Sequence, residues 1–181
     1  MITRNDYEQL KGFAGIDGAM LGVLWIVSFA CFIGEFYNAI FGFASLAIGV
    51  GSLVFVVMRL RRFRDVVRDG EMSFRRGYAY CIYVFFYAAL LMAAAQFAYF
   101  RFIDHGFMLE QYSKVMSQPE FKTMLQVYGV RADEMQLAMD NLAALKPIEI
   151  ALQFLTTNII LGVIISLPIA VMMKRAPRFK P

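Results

Sequence analysis

Residues 12–34 read GFAGIDGAMLGVLWIVSFACFIG, and Asp17 is the one charged side chain in the run. A hydrocarbon layer of roughly 30 Å takes about 20 helical residues at a rise of about 1.5 Å each. The run is therefore long enough to cross a bilayer. Lipid offers no hydrogen bonds, so a crossing segment must satisfy its own backbone. The alternating pattern of a membrane barrel strand is missing, which leaves helix. The run is longer than a signal-peptide core, and no small-x-small cleavage site follows it, so a retained helix is expected.

Three more blocks of this kind follow, at residues 39–58, 77–103 and 148–173. The chain of 181 residues is 60% apolar and 18% charged, against roughly half and a quarter for soluble domains. The pattern predicts an all-α, four-helix transmembrane bundle forming one integral membrane domain. Gly34-Glu35-Phe36-Tyr37-Asn38 is a tight turn between the first two spans.

Residues 59–76 form a basic loop. Arg59, Arg61, Arg62, Arg64, Arg68, Arg75 and Arg76 outnumber Asp65, Asp69 and Glu71. Leu60, Phe63 and Val67 recur at helical spacing, so the second helix is expected to project past the lipid. Asp69-Gly70 then ends it, and Ser73 is a suitable N-cap for the third. Residues 104–147 are the long polar segment. Ser117 to Glu120 has capping-box spacing. Phe121, Met124, Leu125 and Tyr128 mark one amphipathic helix stopped by Gly129, and Met135, Ala138, Met139 and Leu142 mark another. The tail, 174–181, is strongly basic.

Lys and Arg collect on the cytoplasmic side of membrane proteins. The basic loop and tail therefore belong inside, with both termini, and the slightly acidic 104–147 segment outside. The first and third helices then run parallel. Cys31 and Cys81 consequently lie about 20 Å apart in depth at 1.5 Å per residue, beyond the reach of a disulfide, so both are read as apolar packers.

No catalytic motif is recognisable, and the expectation is a non-enzyme without cofactor or metal. With His105 as the sole histidine, no histidine-based cage can form within one chain. Asp104 beside His105, where the third helix leaves the lipid, offers acid–base chemistry or a surface turn. Asp17 is an intramembrane carboxylate. It either pairs with an arginine of the inner loop or serves as a proton or ion site. Glu149, Gln153 and Thr156 share a face of the fourth helix, at a depth similar to Gln96 and Arg101 on the third. They form either interhelical glue or a polar groove for a headgroup or substrate, and Arg101 is expected near Glu149. Small residues Gly15, Gly18 and Gly22 on the first helix and Gly42, Ser45, Gly49 and Ser52 on the second suit close packing between those helices, or a homo-oligomer. In the basic loop, Phe63, Arg64, Val67 and Arg68 form a candidate docking or lipid-headgroup face. Nucleic acid is not expected as a partner, because topology already accounts for the charge.

Four short motifs carry a resemblance: Gly15-Ile-Asp-Gly18-Ala-Met-Leu-Gly22, Asp69-Gly70-Glu71-Met72-Ser73-Phe74, Phe102-Ile103-Asp104-His105-Gly106-Phe107, and Gly162-Val-Ile-Ile-Ser166-Leu-Pro168-Ile-Ala. Over nearly its whole length the chain resembles the bacterial membrane family catalogued as domain of unknown function 4199. The resemblance implies Pro in many relatives where this chain has His105, which weakens any catalytic role for that imidazole. The resemblance assigns no functional residues. It implies a multi-pass inner-membrane protein encoded near a polyprenyl-phosphate-type glycosyltransferase. The expected function is a non-catalytic subunit that binds, anchors or organises such a partner among membrane lipids. The alternative is a transporter of a small solute, ion or lipid along a polar path from Asp17 towards Glu149.

Overall fold

The computed structural model describes residues 4–175. The helices are α1 (Arg4–Gly34), α2 (Ala39–Arg62), α3 (Phe74–Phe102), α4 (Phe107–Ser117), α5 (Pro119–Val127), α6 (Ala132–Ala144) and α7 (Pro147–Met173). Four stretches are long and apolar enough to cross a membrane: Tyr7–Gly34, Ala39–Val67, Phe74–Phe102 and Pro147–Met173. The fold is an all-α transmembrane bundle. Two compact units divide the chain: residues up to 95 together with those from 153, and residues 96–152.

In the first unit, α1 begins before the apolar run, because Leu10 is already buried and the hydroxyls of Tyr7 and Tyr83 are hydrogen-bonded. Asn38 caps α2: its side-chain oxygen accepts from the Ile40 N–H at 3.0 Å. Past Arg62 the helix continues through a π turn, Phe63–Val67. Asp69 and Gly70, at φ of 51° and 85°, then reverse the chain. Met72 and Arg175 exchange backbone hydrogen bonds of 3.1 and 2.8 Å, which ties this turn to the residue just beyond α7. The rest of the basic tail, with Arg178 and Lys180, lies outside the described residues.

Lipid tails are as apolar as the side chains they would replace, so helix association in a membrane rests on close packing and hydrogen bonds. The glycines of α1 supply that packing, but against α3 and not, as their spacing suggested, against α2. A Cβ on Gly18 would lie 2.8 Å from the Val84 carbonyl oxygen, and one on Gly22 would lie 3.0 Å from the Leu91 Cβ and 3.3 Å from the Ala88 Cα. Contacts advance together along both chains, so α1 and α3 run parallel. The α1–α2 contact instead uses polar side chains. The Ser28 hydroxyl donates to the Ser45 carbonyl at 3.0 Å, and the Trp25 indole N–H to the Ser52 hydroxyl at 3.2 Å. Gly49 has nothing within 4 Å of its would-be Cβ. Between α3 and α7, a Cβ on Gly162 would come 2.6 Å from that of Phe85. Leu21, Val56, Leu60, Tyr80, Cys81 and Val84 fill the centre. Both cysteines are free, and Cys81 is buried.

The second unit holds α4, α5 and α6. Asp104 caps α4, with its two carboxylate oxygens accepting from the Gly106 and Met108 N–H groups, each at 3.1 Å. His105 and Gly106, at φ of 45° and 87°, make the turn before it. Ser117 does not form the expected capping box, because its hydroxyl donates back to the Lys114 carbonyl at 2.7 Å. Gly129, at φ of 73°, ends α5 as its position suggested.

Candidate functional site

The most heavily buried charge in the described residues is Asp17, on α1, at 2% exposure. Burying an ion costs several kcal/mol unless a partner and hydrogen bonds replace water, and both are present. The Arg59 guanidinium, from α2, donates from Nε to Asp17 Oδ1 at 2.5 Å and forms an ion pair with the same oxygen. The Tyr80 hydroxyl, from α3, donates to Oδ2. Three helices therefore converge on one carboxylate.

Aromatic rings seal the trio. Phe63 stacks on Tyr80 with centroids 4.9 Å apart, and Phe13 lies 5.5 Å from Phe63. Arg59 sits 6.0 Å over the Phe55 ring and keeps 22% side-chain exposure, so it is less enclosed than Asp17. Beside the trio, Lys11 Nζ lies 5.5 Å from the ring centres of both Tyr7 and Tyr83.

Of the sequence readings of Asp17, the geometry matches an arginine of the basic stretch as partner. Tyr80 was not foreseen. Tyr80, Tyr83 and Tyr87 recur on α3 at spacing three and four, and such a stripe reads as packing; the isolated Asp17 facing it was the available signal.

The proposed docking residues are turned inward. Phe63 is 3% exposed and belongs to the core, and Val67 packs against that core. Arg64 is held by Asp65 at 2.7 Å and by the Met173 carbonyl at 3.4 Å, and Arg68 is half-buried. The outward face of this stretch is Arg61, Arg62, Asp65 and Val66 instead, with Asp65 3.6 Å from Arg61. Leu60, Phe63 and Val67 share one stripe at helical spacing, and that stripe meets the protein's own core.

The outer polar residues differ in their surroundings. Gln96 is buried, and its Oε1 has no hydrogen-bond partner among the described residues. Arg101, Glu149, Gln153 and Thr156 are exposed. The expected pairing of Arg101 with Glu149 is not made. Arg101 lies 5.7 Å from the Phe102 ring, and Glu149 accepts from the Lys146 N–H at 2.7 Å at the start of α7. Helix-end N–H groups lack partners within the helix, and that need claims Glu149 as it claims Asp104. His105 is exposed, with Nδ1 2.9 Å from the Ile103 carbonyl. Among the described residues, no group of three His, Cys, Asp or Glu side chains is placed to hold a metal.

The family model described as "Protein of unknown function (DUF4199)" matches residues 17–175. The chain belongs to this family. No curated protein and no solved structure matches it. The DUF4199 match takes in Asp17, Arg59 and Tyr80, and so the whole trio, whereas Tyr7 and Lys11 fall before it.

Proposed function

We propose that this DUF4199 protein is a non-catalytic membrane protein whose bundle is a rigid anchor for binding and organising a partner. The observation that carries the reading is that both oxygens of Asp17 are engaged, by Arg59 and by Tyr80, across three helices. An ion or proton carrier needs a carboxylate whose partner can be exchanged for the cargo. This one holds its helices together. Past the trio, most buried side chains of the first unit are apolar, among them Leu21, Val84, Phe85 and Ala88, and the buried Ser52 and Ser166 hydroxyls donate to carbonyls of their own helices, Gly49 and Gly162, each at 2.6 Å. That supports an anchor over a polar path through the bundle.

The arginine excess of residues 59–76 supports a cytoplasmic location for that loop and for both termini, in a bacterial inner membrane. The docking surface is then the exposed strip of Arg61, Arg62 and Val66, which mixes apolar and guanidinium groups as protein interfaces do. The partner class suggested by the family resemblance is a polyprenyl-phosphate-type glycosyltransferase. Affinity purification from native membranes tests this, comparing the natural chain with Arg61→Glu/Val66→Asp. A protein recovered with the first and lost with the second supports the reading; identical recovery from both overturns it.

A further inference from the structure

A groove between α4, α5 and α6 lies wholly within the second unit and has a volume of about 760 Å³. Small-molecule sites span roughly 300–1,000 Å³. Met116, Leu125, Met135 and Met139 form its apolar wall. Methionine is unbranched and polarizable, so a wall with three of them adapts to flexible chains.

The charge of the groove has one sign. Lys122 and Arg131 are the charged residues lining it. Arg131 already has a counter-ion in Asp133, on adjacent guanidinium nitrogens. Of the other carboxylates nearby, Glu110 pairs with Lys114 at 2.7 Å, Glu134 accepts from the Arg131 N–H at 3.3 Å and Asp140 from Gln136 at 3.0 Å, while Glu120, in the first turn of α5, does not line the groove. Lys122 has no partner among the described residues and is the one uncompensated cation at an apolar wall.

We propose that this groove binds a free long-chain fatty acid, with its alkyl chain along the methionines and its carboxylate at Lys122. A single open cation matches a monovalent head. A phosphate monoester, at about −1.5 to −2 near neutral pH, would leave charge unmatched. The site does not depend on the anchor reading above and makes no use of Asp17.

The test uses the full-length chain in nanodiscs with a diazirine-bearing palmitic acid, followed by irradiation and peptide mapping. An alkyltrimethylammonium probe of equal length, with the same diazirine, measures chain contact without the anion. Labelling of the spans by both probes is the internal reference. The fatty acid should label residues 107–144, and the cationic probe should not. Lys122→Gln should reduce that labelling by roughly two- to fivefold, the upper part of the range for an exposed ion pair. Lys122→Arg should retain it, and both variants should melt with the natural chain. Labelling confined to the spans, equal labelling by the two probes, or no change in Lys122→Gln would each overturn the proposal. So would protection of residues 107–144 by a bound protein in native membranes, which would assign the groove to a polypeptide.

Discussion

Removing Arg59 while leaving Asp17 in place should be among the most damaging single changes in the bundle. Breaking a buried ion pair from one side typically costs about 3–5 kcal/mol, because the remaining charge is stranded. The Arg59 side chain keeps 22% exposure, so water can reach the vacated position, and the lower end, about 3 kcal/mol, is expected for Arg59→Met. For a chain of this length each kcal/mol corresponds to about 2–4 °C in melting temperature, so a fall of about 6–12 °C is predicted. Tyr80→Phe removes one hydrogen bond to a charged group, a loss of about 1.5–3 kcal/mol. Asp17→Asn in the Arg59→Met background removes the stranded charge and should recover part of the loss. Thermal unfolding of the purified variants in one detergent gives the cycle. The two single changes should be coupled by about 1–3 kcal/mol. Additive losses would refute the reasoning, since they would mean that Asp17 and Arg59 do not share an interaction.

Further outcomes follow from packing, topology and capping. Gly18→Val should destabilise by about 1–3 kcal/mol, because its added carbons meet the Val84 backbone; Gly51→Ala, with open space around it inside α2, should not destabilise and should gain about 0.5–1 kcal/mol from helix propensity. A cysteine introduced at position 125 should react with an impermeant thiol reagent from the outside, and one at position 69 from the inside only. Asp104→Ala should cost about 0.5–2 kcal/mol through the lost helix cap, and His105→Ala should leave both melting temperature and partner recovery unchanged.

The spans were legible because length and charge alone decide whether a helix can cross a bilayer. The turn at Gly34–Asn38, and the stops at Gly70 and Gly129, were legible because each needs a particular residue type. The faces were harder to read. Gly15, Gly18 and Gly22 announce a close approach but do not name the helix that approaches, and they meet α3. Tyr80 looks like its neighbours Tyr83 and Tyr87 until Asp17 is seen opposite its hydroxyl. Phe63 and Val67 had the composition of a docking face, but a stripe at helical spacing does not say whether it meets a partner or the protein's own core, and here Phe63 is in the core with Val67 packed against it. Glu149 and Asp104 suggested chemistry by type and position, yet the unpaired N–H groups of nearby helix starts claim both carboxylates.

The anchor reading requires that α1 and α2 need not move relative to one another for the protein to work. The hydroxyl oxygens of Ser28 and Ser45 are 3.2 Å apart, so Ser28→Cys/Ser45→Cys, in a Cys31→Ala background, places two sulfurs within disulfide reach. The measurement is recovery of the partner from native membranes before oxidation, after it, and after reduction. A rigid anchor predicts a disulfide that forms readily and leaves recovery unchanged throughout. Recovery that falls on oxidation and returns on reduction would show that the helices must slide, and would contradict the account.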